Sequence, residues 1–155
     1  MNSFSTIALS IFIDESGDFG EYATHSPYYW VTMVFHDQSV DISLPMSALD
    51  NTILNSGYHI HAIHVGPLIR RESPYLYDMI QQRKKLLNAL SFFTRSVDIR
   101  YHTFVVSKHE CPDIISLTER LSTQVSAFFK TNLEYFLDYD KVLVYYDNQL
   151  PHLNL

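Results

Sequence analysis

Val142-Leu143-Val144-Tyr145-Tyr146-Asp147 sets five apolar or aromatic residues in a row and then an acid. An unbroken run of this kind, starting at Lys141 and lacking polar alternation, reads as a central parallel strand covered on both faces. Ahead of it, Pro112 and Asp113 open a long helix. Ile114, Leu121, Val125, Phe128, Leu133, Phe136 and Leu137 keep helical spacing to about Asp138. A long helix before a strand is the crossover that returns a chain to a parallel neighbour, almost always with a right-handed turn. The neighbour stands near the start of the chain. Ile7 to Ile13 is mostly apolar and β-branched, and the chain turns polar at Asp14, so the segment reads as a buried strand ending in a loop. The two strands finish alike, as Phe12-Ile13-Asp14 and Tyr145-Tyr146-Asp147.

Between them the pattern continues to alternate. A second strand is expected from Tyr28 to Phe35. The short interval before it, with Gly17 and Gly20, suits an antiparallel hairpin. Pro45 to Asn55 reads as a short helix with Gly57 at its end. Tyr58 to Pro74, which holds Gly66, Pro67 and Pro74, reads as an ordered loop with some extended structure. Tyr75 to Thr94 is expected to be helical, with Ile80, Leu87 and Leu90 on one side, and Val97 to Ser107 to be a third strand. The class is α/β. The 155 residues suit one domain spanning 1–155.

Composition narrows the function. With 46% hydrophobic and 18% charged residues the chain is of globular, not disordered, type. A lone cysteine, Cys111, forms no internal disulfide and fits a reducing compartment. No stretch is long enough to span a membrane, and no basic region precedes the first apolar run, so a cytoplasmic protein is expected. The net charge of −6 argues against a general nucleic-acid coat, but the charge is uneven. Val65 to Glu110 holds eight Lys/Arg against four Asp/Glu, and the rest of the chain three against thirteen. Arg70, Arg71, Arg83, Lys84 and Lys85 supply much of the positive part. A basic patch beside an acidic site suits a metal-dependent nuclease; a solvated helix face is the plainer alternative.

The acidic site follows from topology. If the last strand lies parallel to the first, Asp14 and Asp147 sit side by side at the carboxyl ends, the edge where α/β sheets hold ligands. Adjacent carboxylates repel, and a hard divalent cation, Mg²⁺ or Mn²⁺, relieves the repulsion. Such an ion activates water and stabilises charge on a phosphoryl group. The alternative is that each aspartate only caps its strand end.

Ile11-Phe12-Ile13-Asp14-Glu15-Ser16-Gly17-Asp18 resembles the opening strand of the domain-of-unknown-function 3800 family, within the ribonuclease H-like superfamily. Three further segments are similar in the same order: His64-Val65-Gly66-Pro67-Leu68-Ile69-Arg70-Arg71-Glu72, the unit ending in Thr103-Phe104-Val105-Val106, and Val142-Leu143-Val144-Tyr145-Tyr146-Asp147-Asn148. The resemblance implies a ribonuclease H-like mixed sheet, its first three strands antiparallel and its fourth parallel beside the first. It implies metal ligands at Asp14 and Asp147. Glu15 is a further motif member and a second-rank catalytic candidate, available if the strand has already ended, since neighbours on a strand point to opposite faces. His64 is a candidate for phosphate binding, proton transfer or a bond to a loop carbonyl. Arg70 and Arg71 are candidate phosphate contacts, with surface or ion-pair roles as alternatives. Family members continue past Asp-Asn with a further helix, strand and closing helix. This chain ends at Leu155, so the resemblance implies a domain incomplete at its C-terminus. The uncovered sheet edge would favour self-association. The expected function is a divalent-metal-dependent nuclease (a hydrolase of RNA or DNA phosphodiesters). A non-catalytic ribonuclease H-like module binding nucleic acid or protein, or an inactive fragment, is the alternative.

Overall fold

The structure, a computed structural model, describes residues 6–59 and 62–146. In chain order it contains β1 (Ala8–Ser16), β2 (Tyr28–Asp37), α1 (Ser43–Leu54), α2 (Val65–Arg70) and α3 (Ile80–Ser96). These are followed by β3 (Arg100–Ser107), α4 (Ile114–Thr131), α5 (Leu133–Leu137) and β4 (Lys141–Tyr146). The protein is α/β, with a four-stranded mixed sheet in the order β3-β2-β1-β4. β1 pairs antiparallel with β2, and β2 with β3, whereas β4 runs parallel to β1. The chain divides into two compact units, residues 1–39 with 99–155, and residues 40–98.

The sheet unit is built by strand alternation. Leu9 and Ile11 on β1, Tyr29, Val31, Met33 and Phe35 on β2, and Phe104 and Val106 on β3 are buried on one face. Side chains two apart share a face, which is why these positions alternate. Leu117, Leu121, Val125 and Phe128 of α4, with Tyr135 and Phe136 of α5, pack against that face. The second unit has its own small core of Ile53, Leu68, Tyr75 and Leu86, contributed by α1, α2, the turn before α3, and α3.

Several boundaries differ from expectation, each for a local reason. β1 runs on through Ser16 instead of ending at Ile13, because β2 continues to pair with it as far as Ser16–Trp30. Polarity at Asp14 marked one open face of the strand, not its end. Residues 65–70 form α2 where a loop was expected. Six residues are too few to show a period, and Pro67 read as a breaker although proline is tolerated in a first helical turn. The helix expected from Tyr75 starts only at Ile80. Tyr75 is fully buried in the second core, and the chain turns there, with the Asp78 amide bonded to the Tyr75 carbonyl at 3.2 Å. The helix expected to reach Asp138 is interrupted at Asn132, whose amide side chain donates to the Phe128 carbonyl at 2.8 Å. Such local bonds compete with helix continuation.

The largest difference concerns β4. It lies at the edge of the described sheet, and only Leu143 on it is even partly buried. The apolar run identified a strand but did not specify whether anything covers it.

Asp113 starts α4 as expected. Its carboxylate accepts the Ser116 amide at 2.8 Å, and the Ser116 amide and hydroxyl hold that carboxyl below the usual range. A depressed folded pKa stabilises above the unfolded value and is lost as pH falls through the folded one. Asp113→Ala is therefore expected to lower the thermal midpoint at neutral pH. The deficit should shrink as pH falls below about 4. Calorimetry across that range checks it; a deficit that stays constant with pH would refute the capping assignment.

Candidate functional site at the carboxyl end of β1

β1 and β4 pair in parallel register from Ala8–Lys141 to Ile13–Tyr146. In the sequence Asp14 follows Ile13 and Asp147 follows Tyr146. Asp147 lies outside the described residues, so the expected pair is described here only from the Asp14 side. Asp14 shares a row with Thr32 and Thr103 on the face opposite the helices. The two threonine hydroxyls bond each other at 3.0 Å. Asp14 is exposed, and its carboxylate makes no hydrogen bond among the described residues.

Glu15 points the other way. Because β1 continues through it, its side chain lies on the helix-covered face, and Asp14 and Glu15 are not brought together. Each Glu15 oxygen has its own donor. The Tyr29 hydroxyl donates to Oε2 and the Tyr146 hydroxyl to Oε1. Burial, then the neighbouring carboxylate, pushes the Tyr29 phenol far above its ordinary range. Tyr146 is pushed up to about 12, chiefly by its bond to Glu15 and then by burial. Both shifts have one cause in common: a phenolate beside a carboxylate would place two anions together.

The chain leaves β1 through Gly17, where φ is +97° and an added Cβ would lie 2.7 Å from the Tyr28 carbonyl oxygen. Only glycine takes this conformation at so close a backbone approach. The loop beyond it is held from the far side of the sheet. Lys108, in the 3-10 turn after β3, is 1% exposed. Its ammonium donates to the Asp18 and Glu21 carbonyls, each at 3.1 Å, and its backbone amide donates to Pro27 at 2.9 Å. Sequence reading missed this residue. In the sequence Lys108 is one more positive charge in a basic region, and nothing local distinguishes a lysine that turns inward.

The remaining candidates belong to the second unit. His64 is the exposed residue before α2, and its backbone hydrogen-bonds Tyr75. Arg70 is committed to Glu72 through two parallel bonds, Nε–Oε1 at 2.7 Å and Nη2–Oε2 at 2.9 Å. Arg71 ends α2 in the left-handed conformation, φ 61°, and its Nε donates to the Leu76 carbonyl at 3.0 Å. The ion-pair and structural alternatives thus describe both arginines. Arg83 likewise caps α2, donating to the Leu68 and Ile69 carbonyls. Lys84 and Lys85 stay exposed on α3.

Among the described residues no three His, Cys, Asp or Glu side chains cluster as metal ligands, and no helix is long and apolar enough to cross a membrane. No protein-family model, curated protein or solved structure matches the chain.

Proposed function

We propose that the carboxyl ends of β1 and β4 form a ribonuclease H-like site for a divalent cation, Mg²⁺ or Mn²⁺, and that the protein is a metal-dependent nuclease acting on RNA or DNA phosphodiesters. The observation that carries this is the parallel pairing that ends at Ile13–Tyr146, each of which is followed in the sequence by an aspartate. Asp14 suits a hard cation, since its carboxylate is exposed and makes no hydrogen bond to any described residue. The ligands would be Asp14 and Asp147. A bound cation would supply charge stabilisation at a phosphoryl group. Glu15 is no partner for Asp14, being on the opposite face. Arg70 would reach a phosphate only by releasing Glu72. His64 and Arg71 carry no part of the proposal. The buried single thiol, Cys111, fits a reducing, cytoplasmic setting.

The test is Mn²⁺ binding by calorimetry beside cleavage of single-stranded RNA and DNA. Asp14→Asn is expected to weaken Mn²⁺ binding at least about tenfold and to remove metal-dependent cleavage. Equal Mn²⁺ affinity in wild type and variant would contradict the proposal.

A second reading has its own observation. On the side of the sheet away from α4 and α5, Tyr101, Val34, Phe12 and Tyr145 form one row across all four strands. Phe12 and Tyr145 stack with centroids 5.0 Å apart while remaining 46% and 47% exposed. An apolar face of this kind suits a non-catalytic module that meets a second copy through it. Light scattering would then show mass rising with concentration, whether or not Mn²⁺ is present.

A further inference from the structure

Among the described residues, little packing holds the carboxyl end of β4 on its helix-covered side. The strand is at the edge of the described sheet, and Val142, Val144 and Tyr146, which share that side, are all exposed. Among the described residues, one side-chain hydrogen-bond link reaches this end on that side. Glu15 accepts the Tyr146 hydroxyl on one oxygen and the Tyr29 hydroxyl on the other. Tyr29 is 2% exposed, with Phe19 packed on its ring at 5.0 Å, so it is a fixed post in the core. The carboxylate therefore bridges from the core, across β1, to the last described residue of β4. Both its oxygens are engaged, and it faces away from Asp14.

The geometry points to Glu15 as a positioning residue that holds the carboxyl end of β4, and with it the chain entering Asp147, through the Tyr146 hydroxyl. The consequence for a metal at Asp147 rests on the function proposed above; the tether itself does not. Hydrogen bonds to a carboxylate are among the stronger ones, and beside them this strand end has the pairing with β1 and the Tyr145–Phe12 stack on the opposite face.

The test uses the full chain and three variants, Glu15→Ala, Glu15→Gln and Tyr146→Phe. Amide hydrogen exchange is measured without metal, and Mn²⁺ uptake by water-proton relaxation. Glu15→Ala and Tyr146→Phe are expected to speed exchange at the β4 amides bonded to β1 by about tenfold, and to weaken Mn²⁺ uptake in parallel. Amides of Met33 and Phe104 in the core serve as the reference and should hold. Glu15→Gln, whose amide group can still bond both hydroxyls, should recover most of both properties. If Glu15 were instead a metal ligand, Gln would fail like Ala, and Tyr146→Phe would bind Mn²⁺ normally; that pattern overturns the inference. Unchanged β4 exchange in all variants overturns it too. The expected exchange pattern in a protein that takes up no Mn²⁺ supports the tether and removes the metal reading alone.

Discussion

Lys108→Met is expected to destabilise the sheet unit by about 3 kcal/mol and to loosen the loop that follows β1. The lysine is buried, and its ammonium is shared between the carbonyls of Asp18 and Glu21. Methionine keeps most of the length and volume of the side chain. It provides no donor, so two carbonyls that a charged group satisfied lose their partner. The loss of such bonds, each worth more than a neutral one, outweighs the relief from no longer burying a charge. The opposite balance holds where a whole ion pair is replaced by apolar groups. Here the acceptors are backbone and cannot be replaced with the lysine. Urea unfolding gives the magnitude. Exchange at the amides of residues 18–21 locates it, and these should accelerate before the strands do. A stability within about 0.5 kcal/mol of wild type would mean that water replaces the ammonium freely and that the loop is not anchored there.

Phe35→Ala is expected to cost more, about 4 kcal/mol, the range for truncating a buried phenylalanine. Phe35 is 4% exposed and lies where the helices meet the sheet. Its ring centroid is 5.8 Å from that of Phe128, 6.0 Å from Phe136 and 6.4 Å from Tyr135. Three rings from α4 and α5 cannot all move into the space vacated, so the cost includes a cavity as well as lost transfer energy. Phe12→Ala is the matched control, because the same residue type on the neighbouring strand faces away from the helices and is half exposed. Its cost should be about 1 kcal/mol or less. Equal effects at the two positions would mean that the helices do not cover one face selectively.

The strands were legible because β1 and β2 are runs of apolar, β-branched and aromatic residues, but their faces were not: β1 reads as a buried strand ending at Ile13, and the alternation of Leu9, Ile11 and Ile13 against Ser10, Phe12 and Asp14 separates a covered face from an open one only once the sheet is formed. The parallel return of β4 was legible from the length of the helical segment before it, since no shorter connection reverses the chain and brings it back parallel. Burial of β4 was not legible. Its residues have the apolar character of a covered strand, yet only the rest of the chain decides whether anything covers them. Asp14 stands out in the sequence, where an apolar strand meets an acid, but the hydrogen bonds of Glu15 do not. Its partners Tyr29 and Tyr146 are 14 and 131 residues away and converge only once three strands are paired. Lys108 was missed for the same reason. Arg70 and Arg71 stood out as positive charges, and the structure assigns both to bonds within their own unit.

The proposed site has one cation joining the ends of β1 and β4. Crystals soaked in Mn²⁺, measured near the manganese absorption edge, test it most directly, with Asp14→Asn as the control. An anomalous peak is expected within ligand distance of both Asp14 and Asp147, and it should vanish in the variant. A peak elsewhere, no peak at all, or two aspartates directed away from each other would contradict it.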